Sequence, residues 1–138
     1  MNKRIRAVSA SLGIGWLLAT SGCATAPDAY PVTYYSSPQG AELTCNGKPY
    51  GNMPVQIHYP LGEAERHGGQ LKTPPCTVKW QSGATAEAAT VFDLDRFPEG
   101  TLTNVLRPNV PGAEIDQAVS RELRAKGKKL SIFYGEGL

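Results

Sequence analysis

Turn-forming residues cut this chain into short pieces. Its 138 residues include 15 Gly and 11 Pro and are 41% hydrophobic, a profile of a globular chain interrupted by turns rather than one built from long helices. Residues 32–36, 41–45, 55–59, 77–81, 84–92 and 102–107 have strand character, and each stretch ends at turn residues. Asn46-Gly47 is a strong hairpin signal because both residues tolerate positive φ. Ser82-Gly83 is a weaker one, separating Val78 and Trp80 from the strand that opens at Ala84. The intervening stretch 60–75 carries Gly62, Gly68, Gly69, Pro74 and Pro75 and reads as a long surface loop.

One segment departs from this pattern. Ile115, Ala118, Val119 and Leu123 recur at helical spacing on one face, with Arg121, Glu122, Arg124 and Lys126 mostly on the other, so a helix is expected at about residues 114–126. Pro111-Gly112 precedes it, and Gly127 is placed to end it in a left-handed conformation. Residues 130–134 read as a final strand. The fold class that follows is α+β: a small, mainly antiparallel β-sheet or sandwich covered by one C-terminal helix.

The first 22 residues carry a different signal. Lys3, Arg4 and Arg6 make a positive start, nothing from Ala7 to Gly22 is charged, and the strongly apolar part, residues 12–19, is too short for a spanning helix of about 20 residues. This is the organisation of a cleaved export signal. Without it roughly 116 residues remain, a common size for one domain. Residues 23–31, with two prolines and no apolar periodicity, read as a tether, and residues 32–138 as a single β-rich domain.

Ala19, Thr20, Ser21 and Gly22 lead with small side chains to Cys23. This stretch resembles the lipobox of bacterial lipoproteins. The resemblance implies cleavage after Gly22, an S-linked diacylglycerol and an N-linked acyl chain on Cys23, and anchorage to a membrane. Ala24 in the next place implies the outer membrane, facing the periplasm, in a Gram-negative cell. Several acyl chains hold a protein on a bilayer durably, whereas one binds only marginally. With Cys23 assigned to lipid, the odd cysteine count of three resolves. Cys45 and Cys76 remain as a pair that an oxidising periplasm allows to form a disulfide; the other reading is two buried thiols.

Within residues 36–55 stand Ser37-Pro38-Gln39-Gly40-Ala41-Glu42-Leu43, then Asn46-Gly47-Lys48, Gly51 and Pro54-Val55. They resemble the PEGA module of bacterial surface proteins: a Pro-x-Gly-Ala turn, a strand, a small-residue hairpin and a Gly-x-x-Pro step into the next strand. The resemblance implies a local β-hairpin fold and an extracytoplasmic binding or structural domain, with no shared catalytic site.

Charge and chemistry narrow the function further. The 14 basic residues fall to 11 against 12 acidic ones once Lys3, Arg4 and Arg6 are removed, a net charge of about −1. The densest basic group, Arg121, Arg124, Lys126, Lys128 and Lys129, lies at a helix end where cations complement the macrodipole, so no nucleic-acid partner is expected. His58 and His67 have no partner at a spacing that implies a triad, and no catalytic residue is assigned. His58, His67, Glu63 and Glu65 match no closed zinc pattern, and Pro98 stands where a calcium loop of Asp93, Asp95 and Glu99 needs glycine. No metal or cofactor is expected.

The aromatic residues offer more. Tyr34 and Tyr35 must point to opposite faces of a strand, Trp80 is expected in the core, and Tyr35 and Tyr50 are candidates for a binding surface, with core packing the equal alternative. The expected function is a membrane-anchored envelope lipoprotein, without enzymatic activity, that binds or supports an envelope protein. The alternatives are an accessory subunit of an envelope or secretion assembly and a tethered hydrolase.

Overall fold

Alternation of side chains builds the first strand. In β1 (Ala29–Ser37) the residues Tyr30, Val32 and Tyr34 turn inward and are essentially unexposed, while Pro31 and Tyr35 on the opposite face are half-buried. The computed structural model describes residues 29–135, so Cys23 and the leader lie outside the described residues. β1 runs antiparallel to β4 (Val55–Pro60) and parallel to β9 (Thr101–Leu106), and β10 (Ser131–Tyr134) lies parallel to β4 on its far side. The resulting order is β10-β4-β1-β9.

A second four-stranded sheet, in the order β3-β2-β6-β7, comprises β2 (Glu42–Cys45), β3 (Lys48–Asn52), β6 (Cys76–Lys79) and β7 (Thr85–Glu87), all antiparallel. Asn46 and Gly47 turn the β2–β3 hairpin at φ values of 49° and 79°, as a two-residue turn with both φ positive requires. The core contains Tyr30, Val32, Tyr34, Val55, Ile57 and Tyr59 from the first sheet and Leu43 and Val78 from the second, with Met53 and Trp80 at the connecting turns. The described residues therefore form a small, mainly antiparallel α+β sandwich with one long helix, α2 (Ala113–Lys126), near the C terminus.

Three expectations shift in detail. The first strand begins at Ala29, because Tyr30 is buried and its hydroxyl donates to the Phe97 carbonyl; residues 29–31 thus belong to the sheet rather than to a tether. The expected loop at 60–75 contains a short helix, α1 (Glu63–Gly68), and β5 (Gln70–Lys72), which pairs with β8 (Val91–Asp93) so that Leu71 and Phe92 can be buried opposite each other. The single strand expected at 84–92 is consequently divided. β7 stays with β6, and β8 leaves for β5 after the Ala88 amide has bonded the Cys76 carbonyl at 3.0 Å.

Cys45 and Cys76 are joined by a disulfide. They are direct cross-strand partners of β2 and β6, and both are buried. The bond closes a sequence separation of 31 residues, the span that includes the β3 hairpin strand, β4, α1 and β5. In the chain-entropy account this stabilises the fold by about 3–4 kcal/mol. Replacing both cysteines by alanine should lower the unfolding free energy by about that amount in a denaturant titration, and an unchanged midpoint would show that the crosslink contributes nothing.

Candidate binding groove

The helix α2 does not bury the face that its apolar spacing marks. Asp116 and Ser120 are buried, Val119 and Leu123 are half-buried, and Ile115 and Ala118 are exposed. At 3.6 residues per turn, this places the inward face about a quarter-turn from the Ile115–Leu123 stripe. The cause is a buried ion pair. Arg107, one residue past β9, donates from Nε to Asp116 Oδ2 at 2.5 Å, and Asp116 also accepts the Ser82 hydroxyl at 2.6 Å and the Ser82 amide at 2.9 Å. Removing one member of such a pair strands a buried charge, so the pair dictates the helix rotation.

Close packing supports the same pose. Gly40, at φ 107°, faces Leu123, and a Cβ built there would stand 2.5 Å from Leu123 Cδ1. Glycine is required at that turn both by its backbone angle and by the approach of the helix. At the other end Gly127 closes α2 in the left-handed conformation, with its amide on the Arg124 carbonyl at 3.2 Å.

The rotated helix leaves a groove of about 680 Å³ between its flank and the outer face of β1 and β9. Tyr35 and Leu102 supply apolar surface; Asn104, Gln117, Ser120 and Arg124 supply polar groups. Strand register creates the floor, since Tyr35 stands opposite Asn104 and Ser37 opposite Leu106. Asn104 Nδ2 and Ser37 Oγ lie 3.0 Å apart, which holds that amide in place. Arg124 Nη2 donates to Ser120 Oγ at 3.5 Å. Among the described residues that line this groove, Arg124 alone is charged. A smaller depression of about 470 Å³ shares Leu102 with it and is bordered by Pro31, Gln56, Phe97 and Glu99.

Of the two tyrosines expected at a binding surface, Tyr35 lines the groove and Tyr50 does not. Tyr50 packs against the core, edge-on to Phe133 with centroids 5.1 Å apart, under the Lys48 ammonium. The buried hydroxyls of Tyr34 and Tyr59 meet at 2.8 Å. Burial first, and then the neighbouring phenol, pushes Tyr59 far above its usual value; burial likewise raises Tyr34. Both phenols stay protonated and structural. His58 bonds Gln56 at 2.9 Å and lies against Tyr134, while His67 sits in the last turn of α1. Asp93 accepts the amides of Asp95 and Arg96, a local turn. Among the described residues, no three His, Cys, Asp or Glu side chains converge as metal ligands do, and no helix is long and apolar enough to cross a membrane.

Asn104, Gln117 and Ser120 carry no sequence signal of their own, and Arg124 is hidden there within a basic helix end. No family model matches this chain, and no match is found among curated proteins or solved structures.

Acid should release the helix. Burial pushes the Asp116 carboxyl up, but the Ser82 hydroxyl and amide and the Arg107 guanidinium together hold it below its ordinary 3.8. A lowered folded-state value means that this contribution is complete well above pH 4 and is lost as the pH falls through the folded value. Asp116→Ala should cost about 3–5 kcal/mol at pH 7, and its deficit relative to the parent should shrink in denaturation curves taken below pH 4. A deficit independent of pH would contradict this assignment.

Proposed function

We propose that this chain is a membrane-anchored cell-envelope lipoprotein with a non-catalytic binding role at the periplasmic face. The observation that carries the anchor is the division of its cysteines: Cys45 and Cys76 bond each other, leaving Cys23, which follows a positive start and an uncharged stretch over residues 7–22, outside the pair. The groove beside Tyr35 supports binding as the task of the folded part, since ligand sites are concave, largely pre-formed and about 300–1,000 Å³ in volume. The strand β1 begins only six residues after Cys23, a reach of at most about 22 Å. A domain so tethered works close to the bilayer, and its partners are molecules of the envelope.

A second reading has its own support. Ile115 on α2 and Val110 in the connection before it remain 47% and 43% exposed, so the start of the helix and its approach carry apolar surface that an accessory subunit could dock against a larger envelope or secretion assembly. Single apolar residues on a surface are ordinary, which leaves this reading second.

The test is the intact mass of the protein extracted from membranes, measured beside a Cys23→Ala form. The expected mass is that of residues 23–138 plus acyl chains, less two hydrogens for the disulfide, with the Cys23→Ala form unacylated and released from the membrane. An unacylated soluble chain in the parent overturns the anchor. Tyr35→Ala should weaken ligand binding while leaving membrane attachment intact, whereas the accessory reading predicts that Ile115→Asp, and not Tyr35→Ala, releases the partner.

A further inference from the structure

We infer that the groove between α2 and the outer face of β1 and β9 takes an acidic sugar, a pyranose bearing one carboxylate, with Arg124 holding the carboxylate and Tyr35 stacking on the ring. This deepens the binding reading of the same groove and does not depend on the lipid anchor.

Charge gives the first part of the argument. Arg124 is the sole charged side chain among the described residues lining the groove, and no carboxylate pairs with it there. Its guanidinium is a planar fork suited to a carboxylate. A single cation among neutral groups matches a ligand with one negative charge better than a phosphate of higher charge.

The neutral groups give the second. Gln117 on α2 offers an amide with donors and an acceptor, and Asn104 on the β9 floor, bonded to Ser37, keeps its second N–H and a lone pair of its oxygen. Ser120 lies beneath them, only 2% exposed. Its oxygen accepts the long bond from Arg124, and among the described residues its own proton has no acceptor. A buried hydroxyl gains from a partner, and a ligand oxygen in the groove would supply one. Alternating donors and acceptors fit the hydroxyls of a sugar, whose C–H face needs apolar surface; the Tyr35 ring and the Leu102 side chain provide it, Leu102 being 60% exposed.

The groove is open along one side, so a single sugar should bind with a dissociation constant on the order of 1 mM. The experiment is calorimetric titration of the whole protein as isolated, disulfide formed, with glucuronate, glucose and acetate. Binding of glucuronate should be saturable and at least about tenfold tighter than that of either control, and Arg124→Gln should weaken it about tenfold. Tyr35→Ala should weaken glucuronate and glucose alike. Arg124 is exposed near the helix end, so its replacement leaves the fold intact, and a circular dichroism spectrum checks this. Equal affinity for glucose and glucuronate, or no effect of Arg124→Gln, overturns the acidic ligand while leaving a sugar groove. Equal affinity for acetate reduces the site to an adventitious anion contact. No saturation with any of the three at tens of millimolar removes both the acidic-sugar assignment and the binding of sugars by this groove.

Discussion

Arg107 is the residue on which the rest of the arrangement turns. A guanidinium has five N–H donors in a fixed fork, and all are used here. Nε reaches Asp116; Nη1 reaches the carbonyls of Pro108 and Val110 at 3.0 and 2.7 Å; Nη2 reaches the Pro111 carbonyl at 2.7 Å and the Ser82 hydroxyl at 3.3 Å. One side chain thereby fixes the end of β9, the 108–111 connection, the β6–β7 turn and the first turn of α2. Burying an ion pair is favourable only when the remaining donors and acceptors are satisfied, and that condition is met. Helix rotation follows from it, and the groove follows from helix rotation.

An inner strand of the first sheet supplies the other half of the groove. β1 pairs with β4 on one side and β9 on the other, so its register places Tyr34 under the sandwich against Tyr59 and Tyr35 over the outer face beside Asn104. The two neighbouring tyrosines thus meet opposite environments. Desolvation keeps the inner one a neutral, hydrogen-bonded part of the core, and the outer one lines the groove. Tyr50 is on β3 of the second sheet, where it packs T-shaped against Phe133 beside the core.

Much of this was legible in the sequence. The Asn46-Gly47 hairpin, the opposite facing of Tyr34 and Tyr35, the strand character of residues 55–59, the existence of α2 and its end at Gly127 depend on local backbone angles and side-chain period, and those are written residue by residue. Elsewhere the local signal points the wrong way. Leu71 sits in a stretch dense in glycine and proline, yet it is buried as a strand residue because Phe92, twenty-one positions later, covers it. Likewise the 84–92 run looks continuous, but its two halves serve different sheets.

By itself, then, the sequence determined where the Asn46-Gly47 hairpin turns, that Tyr34 and Tyr35 take opposite faces of one strand, and that a helix follows residue 112. The tertiary structure alone decided which side of that helix is buried, that Tyr35 and Tyr50 part company, and that Tyr35, Asn104, Gln117 and Arg124 share one groove. The physical reason is that strand alternation and caps are set by neighbours in the chain, whereas the orientation of α2 is set by Arg107 and Ser82, nine and thirty-four residues from Asp116, whose hydrogen bonds outweigh the few apolar contacts its own stripe could make.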